Sequence, residues 1–227
     1  MKLLLLSDIH GKISTLERTL KEVKEVDAVL VAGDVSSYAG LKWDYVLSIL
    51  SKYCKQKNIT AFVVPGNVDP PALLNARYGN VSVLHASTST LGKYIVVGIG
   101  GGMGFSFWRV TKLTDNEFER FINSILREYG SGLAPYSWLL LTHTPPYGTK
   151  LDIMYTGEHV GSKALRTLIE VRKPLLVVSG HIHESRNVDY LGKTVLVNPG
   201  PNYKGFYALA RINGMDIKVE LLSVRRL

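Results

Sequence analysis

The sequence predicts an α/β fold, and three features of its 227 residues indicate it. Short apolar runs recur along the chain and are separated by stretches with helical periodicity. The early runs are continuous rather than alternating, as expected for strands of a sheet that is covered on both faces. Gly-containing turns join the last runs in pairs, which indicates antiparallel hairpins.

The apolar, β-rich runs predict about nine strands. In chain order they are KLLLLS, AVLVA, AFVVP, YIVVGIG, WLLLTH, LLVVSG, TVLVNP, FYALARI and IKVELLSV. The "LG" of DYLGKTVLVNPG and the "NG" of RINGMDIKVELL each lie between two strand patterns. We therefore expect these two segments to form the hairpins that close the fold.

Helical patterns fill the longer gaps between strands. They cover residues 14–25, 42–57, 115–129 and 162–171, with a short helix beginning at the prolines of DPPALLNARYG. Ser14 with Glu17, and Thr114 with Glu117, have the spacing of reciprocal helix caps. We see no repeat or linker, so one domain is expected over residues 1–227.

Composition narrows the class of protein. Hydrophobic residues make up 46% and charged residues 20%, which is typical of a globular chain and predicts neither disorder nor a membrane span. The leucines after Lys2 are too few for a signal peptide, and Cys54 is the single cysteine, so a disulfide framework is excluded. These features indicate a cytoplasmic protein in which Cys54 is structural.

The net charge of +8 favours anionic partners. Phosphate esters, nucleotides and nucleic acid are all possible anionic partners on this observation alone. Apart from the RRL tail the basic residues are scattered, and no basic stripe with interleaved aromatic residues supports dedicated nucleic-acid binding. A solvated basic surface explains the charge equally well, and nothing in the composition predicts an oligomeric state.

Side chains that can bind metals follow five of the predicted strands. They are Asp8 and His10, then Asp34, Asn67, His143, and the pair His181 and His183. Each piece is ordinary alone, because Gly-Asp turns and histidines after strands are common. Ligands bind outside the carboxyl ends of strands in α/β sheets, so the joint pattern predicts a metal site.

The donor types indicate which metals would bind. Imidazoles with oxygen ligands and no thiolate favour Mn, Fe, Zn, Ni or Co over calcium or a structural zinc site, and we expect Mn. Seven donors exceed the needs of one ion and are typical of two ions about 3.5–4 Å apart that share a carboxylate. Such a pair suits a small anionic phosphate-ester substrate.

Five motifs follow one another along almost the whole chain: DIH at 8–10, GD at 33–34, GNVD at 66–69, TH at 142–143 and GHIH at 180–183. In this order they resemble the calcineurin-like metallophosphoesterases. The stretches HTPPYGTKLD, GEHVGSKALRTLIE, SGHIHESR and VNPGP also resemble a small cytoplasmic phosphoesterase branch of that family. The resemblance implies a β-sandwich of two mixed sheets flanked by α-helices, an αββα arrangement.

The resemblance also implies roles for the donors. Asp8, His10 and His183 would hold one metal, Asn67, His143 and His181 the other, and Asp34 would bridge both. The implied activity is that of a phosphodiesterase in which a hydroxide between the metals attacks a small phosphate ester or nucleotide. A non-catalytic scaffold of the same fold and a nuclease are the alternatives, although all seven ligand positions are filled here.

One position departs from the family pattern. Relatives have a histidine after the motif asparagine that is thought to protonate the leaving group, whereas this chain has Val68. Leaving groups that need little protonation, such as aryl esters, nucleotide diesters or anhydrides, are then expected. His159 in TGEHVGS is the candidate substitute acid, and a surface-loop histidine is the alternative.

The remaining candidates have supporting roles. Asp69 is expected to accept a hydrogen bond from a ligand imidazole, with a simple turn carboxylate as the alternative. Arg186 and Lys150 are candidate phosphate contacts. GIGGGMGFSFW lacks the spacing of a nucleotide-binding fingerprint and is expected to be a loop at the rim of the site.

Overall fold

The computed structural model describes residues 1–104 and 111–225. Within these residues twelve strands form two six-stranded sheets. The end of the GIGGGMGFSFW stretch and the last two residues of the RRL tail lie outside the described residues.

The first sheet has the strand order β12-β11-β1-β2-β3-β4. Its strands are β1 (Lys2–Leu6), β2 (Ala28–Ala32), β3 (Thr60–Val64), β4 (Val81–Val83), β11 (Phe206–Asn213) and β12 (Asp216–Ser223). Strands β1 to β4 are parallel, while β11 runs antiparallel to both β1 and β12. The carboxyl ends of β1, β2 and β3 therefore meet at one edge.

The second sheet has the order β5-β6-β7-β8-β10-β9. Its strands are β5 (Ser87–Leu91), β6 (Tyr94–Ile99), β7 (Trp138–Thr142), β8 (Leu176–Val178), β9 (Asn187–Leu191) and β10 (Thr194–Asn198). The inner strands are parallel and the edge strands β5 and β9 are antiparallel to their neighbours. The predicted hairpins β9–β10 and β11–β12 are confirmed.

Among the described residues, four α-helices cover the outer faces of the sheets. They are α1 (Ile13–Glu22), α2 (Trp43–Lys57), α3 (Asp115–Tyr129) and α4 (Lys163–Arg172). Helices α1 and α2 pack on the first sheet, with Leu16 and Leu50 in one apolar cluster with its strands. Helices α3 and α4 pack on the second, where Phe118 and Leu165 join Trp138 in another cluster. Short 3₁₀ helices lie at Pro71–Asn75, Gly130–Gly132 and Asn202–Lys204.

A third apolar cluster lies between the two sheets and includes Leu5 and Phe62 from one and Leu139 and Val178 from the other. The αββα arrangement implied by the resemblance is thus confirmed. Each sheet is buried by helices on one face and by the other sheet on the second face. This explains the continuous apolar runs of the inner strands, although not through helices on both faces.

Local predictions had mixed outcomes. The helix bounds agree within a few residues, and Thr114 and Glu117 form the reciprocal cap of α3. The cap predicted at Ser14 is wrong, because α1 begins at Ile13 with Lys12 as its capping position and no side-chain hydrogen bond. Strands β4 and β5 were missed, and β9 was predicted only as the first strand of a hairpin. None of the described helices combines the length and the apolar character needed to cross a bilayer.

Candidate metal centre

The predicted donors lie where the carboxyl ends of the two sheets meet. Backbone hydrogen bonds fix the loops that carry them: the N–H of Asp8 donates to the Gly33 carbonyl at 3.0 Å, and the N–H of His10 to the Asp34 carbonyl at 2.9 Å. In the second sheet, the Gly180 N–H donates to the His143 carbonyl at 3.0 Å. The loops are therefore held to one another through their backbones and not only through the metal-binding side chains.

Four of the donors have left-handed backbone conformations. The φ angles are 52° for Asp8, 47° for His10, 52° for Asp34 and 70° for His181. Non-glycine residues avoid this region because Cβ crowds the backbone, and they cluster there at functional sites. The backbone strain is consistent with a binding site in which these side chains must all point towards the same position.

The first group of donors consists of Asp8, His10 and His183. His183 Nε2 lies 3.2 Å from Asp8 Oδ1 and 3.4 Å from His10 Nε2. Asp8 Oδ1 is also 3.9 Å from His10 Nε2, so one carboxylate oxygen lies near both imidazole nitrogens. The group is partly open, because the His183 side chain is 23% exposed whereas Asp8 is buried.

The second group consists of Asp34, Asn67 and His143. His143 Nε2 lies 2.9 Å from Asn67 Oδ1 and 3.4 Å from Asp34 Oδ2. Asp34 Oδ2 is also 3.7 Å from His10 Nε2, so this oxygen lies between the two groups. All three residues of the second group are buried.

The spacings fit cation binding. Nitrogen and oxygen ligands about 2.1 Å from one ion lie roughly 3.0–3.4 Å apart in octahedral or tetrahedral arrangements. Asp8, His10 and His183 form one set whose ligand atoms lie within 4.8 Å of one another, and Asp8, Asp34 and His143 form a second. A mixed carboxylate, amide and imidazole set with two overlapping centres can hold two divalent transition-metal ions.

The imidazoles of His143 and His181 are oriented by backbone carbonyls. His143 Nδ1 donates to the Ala32 carbonyl at 2.7 Å, which leaves Nε2 directed at Asn67 and Asp34. Burial lowers the pKa of His143, but the Asp34 and Asp8 carboxylates and the Ala32 carbonyl together raise the value to about 9. His181 Nε2 donates to the Met103 carbonyl at 3.0 Å, and burial beside His143 lowers its pKa to about 4.

The carboxylate of Asp8 is held by groups that sequence patterns did not single out. The buried Ser7 hydroxyl donates to Asp8 Oδ2, and the His181 N–H reaches the same oxygen at 3.3 Å. Burial alone would raise the pKa of Asp8, but the His183 hydrogen bond and the neighbouring imidazoles lower it overall. Gly180 makes this packing feasible, because a Cβ there would collide with Ser7 Oγ.

The expected role of Asp69 needs correction. Its carboxylate accepts hydrogen bonds from the Gly66 N–H and Ser36 N–H, both at 2.8 Å, and from the Ser36 hydroxyl at 2.7 Å. The Val35 N–H adds a fourth at 3.2 Å. Asp69 therefore joins the loops after β2 and β3, as a turn carboxylate does, and orients no imidazole of the described residues.

The structure separates the other candidates from the cluster. His159 Nδ1 lies 2.8 Å from Asp152 Oδ1, and its side chain, 37% exposed, packs beside Tyr147. The Arg186 guanidinium donates to the Pro199 and Leu222 carbonyls at 3.1 and 3.0 Å, which is a structural role rather than a phosphate contact.

Lys150 and Val68 complete the set of candidates. The Lys150 backbone N–H donates to Asp189 on β9 at 2.9 Å, and the described contacts do not join Lys150 to the cluster. Val68 is 2% exposed, and its N–H donates to Asp34 Oδ1 at 3.0 Å. The valine thus positions a donor through its backbone while its side chain has no proton to transfer.

A cavity of about 360 Å³ opens beside the donors. Among the residues that line it are Asn67, Met103, Met154, Val160, His181 and Glu184. Its walls are partly apolar, and the donors lie at one end. A small ester could reach the cluster through this opening.

Comparisons with known proteins agree with this geometry. The profile of a family described as "Metallophosphoesterase, calcineurin superfamily" matches residues 1–222. The uncharacterized protein MJ1162 of Methanocaldococcus jannaschii is 29% identical over 206 residues, which cover 88% of each chain.

Two solved structures show the same fold. TT1561 of Thermus thermophilus superimposes with a TM-score of 0.73 at 20% identity, and the match covers 99% of each chain. A 5'-nucleotidase precursor from the same organism has a TM-score of 0.55 at 14% identity, over 99% of this chain and 54% of that one. At these identities the likeness concerns the fold alone.

Proposed function

The chain belongs to the calcineurin superfamily of metallophosphoesterases, and from this premise we propose that it is a two-metal phosphodiesterase acting on a small phosphate ester or nucleotide. Family membership and the donor cluster support a metal-dependent phosphoester hydrolase in general. The observation that carries the finer proposal is the pair of overlapping donor groups contributed by two sheets. The metals we propose are Mn first, with Fe, Ni, Co and Zn as alternatives.

The proposed ligands are the two donor groups with His181 added to the second. Asp8, His10 and His183 hold one ion, and Asn67, His143 and His181 hold the other. Asp34 bridges both, which is supported by the position of its Oδ2 between His10 and His143. His181 would use Nδ1, because its Nε2 is bonded to the Met103 carbonyl.

Two bound ions would supply an acidic water as nucleophile and neutralise the charge of the phosphoryl oxygens. The chain itself contributes orientation and charge balance. Asp8 and Asp34 are its two buried carboxylates at the cluster, while Asn67 adds a neutral amide oxygen, so the centre keeps positive charge for an anionic substrate. The overall charge of +8 attracts the same substrates over longer range.

Val68 sets the expected leaving group. A valine stands in place of the motif proton donor, and His159, the other candidate, is bonded through Nδ1 to Asp152, while none of its described contacts joins its imidazole to the donors. Esters whose leaving groups are stable as anions should therefore react fastest.

The single cysteine is the feature that supports a cytoplasmic location for this activity.

The test is a panel of phosphomonoesters, diesters, 2′,3′- and 3′,5′-cyclic nucleotides and pyrophosphates, each assayed with Mn, Fe, Ni, Co, Zn and Mg. We expect diesters with acidic leaving groups to be cleaved fastest, and Asp34→Asn to lose both metal and activity. Asp216→Asn, an exposed carboxylate on β12, is the matched control. Retention of both metals and full activity by Asp34→Asn would contradict the proposal.

The alternatives have their own signatures in the same panel. Binding of metal without turnover of any ester would indicate a scaffold protein. Cleavage of single-stranded oligonucleotides faster than small diesters would indicate a nuclease.

A further inference from the structure

Two tyrosines outside the motifs flank the first group of donors. The Tyr38 ring stacks on the His10 imidazole, with centroids 4.2 Å apart and planes 15° apart. Tyr203, in the 3₁₀ helix Asn202–Lys204, places its ring 5.4 Å from both His10 and His183. These two rings form an aromatic wall beside the first group of donors.

Tyr38 has one ring face covered and one face free. Its stacking partner His10 covers the first face, yet the residue as a whole is 54% exposed. The second face is thus open to solvent directly above a proposed metal ligand. A free aromatic face in such a place can stack on a planar ring, as bases stack on tyrosines in nucleic-acid-binding proteins.

Tyr203 contacts the first group of donors through its hydroxyl as well as its ring. Its hydroxyl lies 3.4 Å from His183 Nδ1, the nitrogen that points away from Asp8. Because His183 Nε2 faces the cluster, Nδ1 carries the proton and donates a hydrogen bond to the Tyr203 oxygen.

The aromatic wall and Val68 point to the same kind of substrate. Val68 favours leaving groups that need no proton, and aryl alcohols satisfy this condition. Nucleotide diesters carry a planar base close to the phosphate. Resting on the proposed function, we propose that the free face of Tyr38 binds a planar ring adjacent to the scissile phosphate, so that the substrates are phosphodiesters bearing a nucleobase or an aryl group.

The first test measures binding without turnover. Isothermal titration calorimetry of the metal-loaded protein compares adenosine 5′-monophosphate with ribose 5-phosphate, which lacks the ring, and phenyl phosphate with methyl phosphate. We expect the ring to tighten binding about 10-fold in the wild type and to lose this effect in Tyr38→Leu. Tyr38→Phe should retain it, because the ring remains. A ring effect in the nucleotide pair alone would assign the site to nucleobases, and in the phenyl pair alone to aryl groups.

The second test separates stacking from support of His10. Tyr38→Leu should raise KM about 10-fold for methyl phenyl phosphate but leave KM for methyl trifluoroethyl phosphate and the bound metal unchanged. Tyr190→Leu is the matched control, because Tyr190 is 61% exposed on β9 and pairs with Val195, far from the carboxyl ends of the strands.

Two outcomes would overturn the inference. One is equal binding of ring-bearing and ring-free phosphates by the wild type. The other is a loss of metal and of kcat on both esters in Tyr38→Leu, which would make Tyr38 a support for His10. A wild type that binds the ring but cleaves no ester would overturn the proposed function while leaving the ring site intact.

Discussion

The two sheets contribute different chemistry to the metal centre. The first sheet supplies the oxygen donors Asp8, Asp34 and Asn67 together with His10, whereas the second supplies imidazoles alone, from His143, His181 and His183. Neither sheet holds both the negative charge and enough nitrogen donors for two ions. The site therefore exists only at the junction between the two sheets, because each sheet supplies part of the donor set.

The sheets also differ in how firmly they hold their donors. In the first sheet, Asp34 accepts the Val68 N–H and Asp69 fastens the neighbouring loops through four hydrogen bonds. In the second, His143 is buried and bonded to Ala32 of the first sheet, but His183 is 23% exposed and held by Tyr203. We therefore expect substitutions of donors in the first sheet to reduce bound metal and activity more than substitutions of donors in the second.

The largest effect should come from the shared carboxylate. Asp34→Asn keeps the shape of the side chain but removes the charge that lies between the two donor groups, so we expect loss of both ions and a fall in kcat/KM of at least about 10³-fold. His183→Ala should retain one ion and lose about 10²-fold. Elemental analysis with diesterase assays checks this. Equal metal loss in both variants would break the proposed difference between the sheets.

The contact between the sheets gives the next effect. In Gly180→Ala the new Cβ meets Ser7 Oγ, so the β1 and β8 loops must separate. We expect unfolding to become easier by about 1–3 kcal/mol and metal to bind more weakly. Urea titration measures the first effect and metal titration the second. Gly79→Ala is the control, since a Cβ there meets no atom of the described residues within 4 Å. Similar stabilities for the two variants would show that the junction tolerates movement.

A smaller effect isolates one hydrogen bond at the junction. Ser7→Ala removes the hydroxyl that donates to Asp8, and we expect metal affinity to fall about 10–100-fold with little change in stability. Ser179 offers a matched control, because its buried hydroxyl finds no hydrogen-bond partner within the described part of the chain. Ser179→Ala should leave metal affinity unchanged. If both variants bind metal equally well, orientation of Asp8 by Ser7 is unimportant.

The smallest effect is expected away from the junction. Cys54 lies in α2 on the outer face of the first sheet, where burial raises the pKa of its thiol to about 12. A thiol reagent should leave the folded protein unlabelled, with or without a chelator, because Cys54 is buried under α2 whereas the metal centre lies at the carboxyl ends of the strands. Mass spectrometry measures the labelling. Rapid labelling after chelation would show that the metals also stabilise the outer layer.

Sequence reasoning located the donors because each follows a strand, and strand ends can be read from apolar runs. It missed β4, which has only three residues, and β5, whose sequence STSTL lies at a sheet edge and needs no apolar run. It also missed Ser7 and the tyrosines. Their importance depends on which loops meet in space, and neither spacing nor periodicity records this.

Asp69 and Arg186 show the same limit from the opposite side. Asp69 is the last residue of GNVD and Arg186 follows GHIH by three residues, so proximity in sequence suggested contact with ligands or substrate. Asp69 instead joins two loops, and Arg186 stacks on Phe206 while bonding backbone carbonyls. Adjacent residues on a turning backbone point in different directions, so proximity in sequence did not predict their partners.

The left-handed backbone of Asp8, His10, Asp34 and His181 has an evolutionary consequence. Each such residue costs on the order of 1–2 kcal/mol relative to a glycine in the same conformation. A lineage that no longer needed the metals would gain stability by replacing these donors with glycine, so drift would erase the centre quickly. The strain of these four residues is thus stability that the chain would recover if glycine replaced the donors.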